Sequence, residues 1–139
     1  MMHSAFQSLK HRAFVLFIPF LFAEFANGQS LVQLVEDLEP SVFKIECYDK
    51  YGMPEGTGTG FIVGEDGRAV TNWHVMDETA FAFAIFDDSK IVEITSIIEA
   101  SEQHDLAVIQ LAMSEGMTYT PLRLQKTIPP KGSELFIIG

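Results

Sequence analysis

The stretch TGTGFIVGEDGRAVTNWHV, residues 57–75, decides the fold. Residues 58–63 and 68–72 are two short apolar runs either side of Gly64-Glu65-Asp66-Gly67. The Asp-Gly pair supplies the positive-φ position that a tight hairpin needs. An apolar hairpin of this kind is a wall of a β-barrel or sandwich, yet it ends by presenting an imidazole, His74. A polar, titratable side chain set at the rim of a core element calls for a partner.

The same strand pattern continues outward in both directions. Val42–Tyr48 alternates, with Phe43, Ile45 and Cys47 on one face and Lys44 and Glu46 on the other. Residues 49–56 read as a loop containing Gly52, Pro54 and Gly56. Residues 80–86 and 91–100 flank a second turn, Asp87-Asp88-Ser89-Lys90, and residues 105–111 form a sixth, apolar strand. Six short strands separated by turn signals predict an all-β fold, a small antiparallel barrel or sandwich. Ahead of them, Ser30 is placed to cap a helix, with Gln33 completing a capping box. Leu31, Leu34, Val35 and Leu38 follow as one apolar stripe, and Pro40 ends the helix. Residues 113–130 read as a connector. Residues 133–139 then predict the start of a new apolar strand, whose Leu135–Ile138 portion would present an unpaired, adhesive edge.

Residues 1–28 have the layout of a secretory signal peptide: basic Lys10, His11 and Arg12, an apolar run at 13–23, then Ala26-Asn27-Gly28 before Gln29. A membrane span needs about 20 apolar residues, and Glu24 follows this shorter run closely. Export with cleavage is the expectation, to the periplasm or the extracellular space, with no stable membrane span after cleavage. The whole chain has 9 basic and 19 acidic residues; without Lys10, Arg12 and Glu24 the remaining 111 residues keep 7 and 18, a net charge of −11. No basic patch exists to neutralise phosphates, so nucleic acid is not an expected partner. Cys47 is the one cysteine, which excludes an intrachain disulfide, and its place on the apolar face reads as a buried, inert thiol. Glu65-Asp66 and Asp87-Asp88 are turn residues, without the spaced oxygen ligands of a calcium loop.

The candidate chemistry lies in His74 and Asp105. Asp105 heads the apolar strand Leu106-Ala107-Val108-Ile109, where a carboxylate is costly unless something donates to it. An imidazole N–H is a suitable donor, and the carboxylate in turn fixes the tautomer that leaves the other ring nitrogen free to accept a proton. His104 is a competing imidazole but reads as a solvent-facing loop residue.

Gly58-Thr59-Gly60-Phe61-Ile62-Val63, Glu65-Asp66-Gly67 and Val70-Thr71-Asn72-Trp73-His74-Val75 together resemble the trypsin-like serine proteases, most of all their HtrA/Deg branch. Asp105-Leu106-Ala107-Val108-Ile109 resembles the strand that carries the family's triad aspartate, and Pro40-Ser41-Val42 the start of its first strand. The likeness spans residues 30–139, in the family's order. It implies a double-barrel serine endopeptidase acting on polypeptides, with His74 as general base and Asp105 as its orienter. The domain organisation that follows is a signal peptide at 1–28, a first barrel with its cap helix at 29–112, and an inter-barrel connector with the start of a second barrel at 113–139. Trp73 departs from the smaller residue often found before the histidine. The nucleophilic serine of the family sits in a glycine-flanked turn of the second barrel. Ser89, Ser96, Ser101, Ser114 and Ser133 lack that setting, so nucleophile and oxyanion-hole amides are expected beyond residue 139. No metal or organic cofactor is implied. A non-catalytic barrel that binds a partner, and an inactive relative, are the alternative readings; self-association of the complete form is open, some members forming trimers. Retention of both His74 and a buried Asp105 favours the protease.

The N-terminal pattern makes a direct prediction: secreted protein begins at Gln29 or within a few residues of it. N-terminal sequencing or intact mass measures this, and secreted material starting at Met1 contradicts it.

Overall fold

The computed structural model describes residues 30–138, so the signal peptide expected at residues 1–28 lies outside the described residues. Within them, α1 spans Leu31–Leu38 and a single 3-10 turn Glu39–Ser41 leads into β1, Val42–Tyr48. Then follow β2 (Pro54–Ile62), β3 (Arg68–Thr71), the short helix α2 (Trp73–Met76), β4 (Phe81–Ile85), β5 (Ile91–Ser101), a 3-10 turn at Glu102–His104 and β6 (Leu106–Leu111). All neighbouring strands are antiparallel and close into a barrel in the order β1-β2-β3-β6-β5-β4. Closure leaves no sheet edge, the usual weak point of a β-protein.

Strand alternation fixes what fills the barrel. Phe43, Ile45 and Cys47 of β1 point inward with Ile62, Ala69, Ala82, Ala84, Val92, Ile94, Ala107, Ile109 and Leu111. Six strands enclose little space, so small residues must face large ones. Gly60 shows the limit: a Cβ there would lie 2.5 Å from the Phe43 ring. The hairpin across Gly64–Gly67 forms as expected. Gly67 N–H donates to Gly64 O at 3.0 Å, and Gly67 sits at φ +83°. The turn after β4 copies it, with Ser89 N–H donating to Phe86 O at 2.9 Å, but places Ser89 rather than glycine at φ +63°.

Four expectations change. First, β2 begins at Pro54, inside the expected loop, because Asp49 compacts the turn: its carboxylate accepts the Tyr51 and Met53 N–H groups, both at 2.8 Å. Proline is tolerated there as the first residue of a strand. Second, the capping box is half made. Ser30 Oγ accepts from Gln33 N–H at 3.1 Å, but the Gln33 amide turns to Asp37 at 3.1 Å. Third, α1 buries no residue fully, and Leu31 at the head of its stripe is exposed. Fourth, residues 133–138 form no strand: an apolar run lacks the ladder hydrogen bonds of a strand without a neighbour, and Ile137 is 98% exposed. A second barrel therefore has no first strand among the described residues.

The connector does more than link. Its Tyr119 is buried, its hydroxyl donates to Ala112 O at 2.7 Å, and it stacks on Phe86 with ring centroids 6.2 Å apart. Leu122 N–H reaches Ile62 O at 2.9 Å. The Gly64–Gly67 end of the barrel is thus plugged.

Burial predicts a sharp contrast between adjacent residues of β1. Ile45, 0% exposed, loses about 2–5 kcal/mol of folding free energy on Ile45→Ala. Exposed Lys44→Ala changes it by about 0.5 kcal/mol or less. Urea unfolding of both variants measures this; equal midpoints contradict the inward assignment of Ile45.

Candidate active site

The pairing of β3 with β6 determines where the candidate residues meet. Thr71 lies opposite Ala107 and Ala69 opposite Ile109. The strands run antiparallel, so the residues after β3 and those before β6 emerge at the same end of the barrel. His74 follows β3 and Asp105 precedes β6. Thirty-one positions apart in sequence, they are brought to the same end of the barrel by strand register.

The approach is close. His74 Nδ1 lies 2.7 Å from Asp105 Oδ2, and His74 N–H donates to Asp105 Oδ1 at 2.9 Å. Asn72 Nδ2 donates to the same Oδ2 at 3.1 Å and to the Asp105 carbonyl at 3.0 Å. Facing a carboxylate, Nδ1 is the nitrogen that carries the proton. Nε2 keeps its lone pair, and no hydrogen bond occupies it among the described residues.

Several neighbours hold the helix that carries His74. Val75 O accepts from the Cys47 thiol at 3.1 Å and from Thr79 Oγ at 3.2 Å. Gly58 makes room for it, since a Cβ there would lie 2.5 Å from Val75 Cγ1. The alternating glycines of the opening stretch thus serve two purposes. Gly58 admits the histidine-bearing helix, and Gly60 admits the Phe43 ring. Trp73 packs half-buried against the core, which accommodates its bulk beside the histidine. Cys47 is buried as expected, but it also donates to the helix, which its place in an apolar alternation did not reveal. Thr79 was likewise unmarked in the sequence, and Asn72 stood there as the end of a strand and a member of the resembling motif, with no role of its own. His104 is exposed and bonded through Nδ1 to Ser101 Oγ at 2.8 Å, away from the pair.

One expectation is corrected here. Asp105 is not buried: its side chain is 43% exposed, and that of His74 is 70% exposed. Only alternate residues of the strand after Asp105, namely Ala107, Ile109 and Leu111, face inward; Asp105 itself stands outside the strand, as the left-handed residue (φ 50°, ψ 50°) that ends the 3-10 turn. Its carboxyl is nonetheless held below the usual carboxylate value, first by the His74 backbone N–H and then by the His74 side chain, with Asn72 adding to both and partial desolvation opposing them. Beside His74, a shallow depression of about 260 Å³ is lined by Cys47, Glu55, Gly56, Thr57, Val75, Asp77 and Thr79. No cluster of three or more His, Cys, Asp or Glu side chains suited to a metal ion occurs among the described residues.

Comparison with known proteins places this geometry in context. Residues 58–139 match the model of the trypsin-like peptidase domain. The chain is 31% identical over 86 residues to serine protease HTRA1 of Xenopus laevis, and equally to that of Xenopus tropicalis. The match takes in 58% of this chain and 18% of each relative, so the chain spans less than a fifth of their length.

The depressed Asp105 value carries a pH dependence with a definite sign. A carboxyl whose folded value lies below its unfolded one, about 3.9, stabilises the fold fully above that value and loses the contribution as pH falls through the folded value. Carboxyl NMR titration is expected to place the Asp105 midpoint below the ordinary range, and Asp105→Asn to flatten stability against pH in that window. An Asp105 midpoint at or above 3.9 contradicts the bonding described.

Proposed function

As the chain belongs to the trypsin-like peptidase family, we propose that it carries the general base of an exported serine endopeptidase, His74, and the carboxylate that orients it, Asp105. One observation carries the reading: a carboxylate holds Nδ1 of a histidine at 2.7 Å while Nε2, at the barrel rim, takes no hydrogen bond from the described residues. A serine hydroxyl delivered to Nε2 would lose its proton there as the oxygen attacks a peptide carbonyl. The resulting imidazolium is stabilised by Asp105 and returns the proton to the leaving amine. The acyl group left on the serine is then released by water along the same path.

The serine and the amides of the oxyanion hole belong, on the family resemblance, to a glycine-flanked turn of a second barrel. None of the described serines bonds to His74. We read residues 29–112 as the first barrel with its cap helix and 113–139 as the connector toward the second. Polypeptides are the substrate class. Export rests on the basic, apolar and small-residue succession of residues 10–28; among the described residues no helix is long and apolar enough to cross a membrane.

The test is Asp105→Asn in the complete enzyme. The fold persists, since an amide oxygen can still accept the His74 backbone N–H, but the other amide end presents a donor to the ring and selects the wrong tautomer. At a Ser-His-Asp triad this change lowers kcat by about 10⁴, and a loss of that order with a near-unchanged melting temperature is expected. The 139-residue chain alone is expected to take no label from a fluorophosphonate. Near-normal turnover in the variant, or specific serine labelling of the chain, overturns the assignment.

A further inference from the structure

Asn72 occupies the N-cap of α2, with φ −76° and ψ 144°, but makes no side-chain cap there. An asparagine in that place ordinarily turns its side-chain oxygen to the N–H of the second or third helical residue. Here the second helical residue is His74, and its N–H is taken instead by Asp105 Oδ1 at 2.9 Å. The released asparagine amide reaches across to Asp105, donating to the carbonyl oxygen at 3.0 Å and to Oδ2 at 3.1 Å. Asn72 and Asp105 have exchanged roles: the distant carboxylate caps the helix, and the local cap residue holds the carboxylate.

We propose that Asn72 is the positioning residue of the site, a clamp whose NH₂ group fixes the left-handed backbone and the carboxylate of Asp105 together so that the carboxylate faces His74. The proposal deepens the protease reading by adding a residue to the same site. Asp105 needs such a clamp. It is not glycine, yet it sits at φ 50° and ψ 50°, a region that aspartate enters where hydrogen bonds hold it. At 43% side-chain exposure no wall of packed atoms confines it. A bond to the carbonyl restrains the backbone, and a bond to Oδ2 restrains the side-chain torsions. Both acceptors lie on one residue, and a primary amide has two hydrogens to give.

Residue type follows from the same geometry. Of the common N-cap residues Ser, Thr, Asp and Asn, asparagine alone offers two N–H donors on one atom. Aspartate has the same shape and caps a helix as well, but it has nothing to donate and would set a second negative charge against Asp105. Asn72→Asp therefore separates a capping role from a clamping role.

The experiment follows Asp105 and His74 by NMR in the labelled full chain and needs no enzymatic activity, so it stands apart from the protease reading, which the turnover of Asp105→Asn decides. In Asn72→Ala and in Asn72→Asp the amide spectrum of the barrel is expected to stay in place. The Asp105 carboxyl midpoint rises toward the ordinary value, and the hydrogen-bonded Nδ1–H resonance of His74 broadens or disappears. Folded Asn72→Asp that keeps the wild-type Asp105 midpoint and the His74 resonance overturns the proposal, because a cap alone then suffices. In the unsubstituted chain the Asn72 side-chain amide resonances are expected to shift through the Asp105 titration. If they do not move, the clamp is absent, whether or not either variant folds.

Discussion

The Asp105 carboxylate is the contact on which the rest of the site depends. It takes the His74 N–H on one oxygen and shares the other between the His74 ring and Asn72. A carboxylate accepts only, so every group aimed at it must donate. That one-way chemistry sets the tautomer of the ring, supplies the missing helix cap and assigns the Asn72 amide its orientation. Hydrogen bonds to a charged group are also stronger than those between neutral ones, which suits a site that solvent reaches. Through this single group the chain following β3, the helix α2 and the start of β6 are joined.

Support for the site comes from the scaffold in a graded way. The strands below it are among the most buried parts of the molecule, with Ala69, Ala107 and Ile109 at its base. Above them, Val75 is held by two donors, the Cys47 thiol and the Thr79 hydroxyl, and fitted against Gly58. The imidazole is the exposed end of this series. The precision of so exposed a side chain is supplied by the layers beneath rather than by its own burial.

Much of the fold was legible because alternation is a direct consequence of the pleat. Phe43, Ile45 and Cys47 read inward from the residues alone and lie inward in the barrel. The Asp66-Gly67 turn was equally plain, because only its final residue needs positive φ and glycine supplies it. What escaped the sequence was set by contacts between distant residues. Tyr119 lies in a segment without periodicity and is buried only because the barrel end is open to be filled. Asp49 pulls Pro54 into a strand through bonds of its own side chain. Residues 133–138 have a strand's composition, but a strand is a relation between two segments and composition describes one. For the site, a carboxylate heading an apolar strand called for a donor, but the resemblance of the two motifs, not the residues alone, singled out His74 with Asp105. The exchange of partners between Asn72 and Asp105 was not legible, because asparagine at a helix start is ordinary and only the folded chain turns its amide elsewhere.

The strand order of the barrel has a further consequence for how the molecule assembles. β3 pairs not with the next strand in sequence but with β6, after β4 and β5 have intervened. Local hairpins can form early, whereas pairing across so long a loop must first meet the entropy of closing it. The groups around Asp105 are divided between these two strands, so they meet only when the last strand docks. During synthesis, a chain that has emerged through β5 holds the histidine but not its carboxylate. The contacts around Asp105 thus exist together only in a molecule in which β3 and β6 have paired and the barrel has closed.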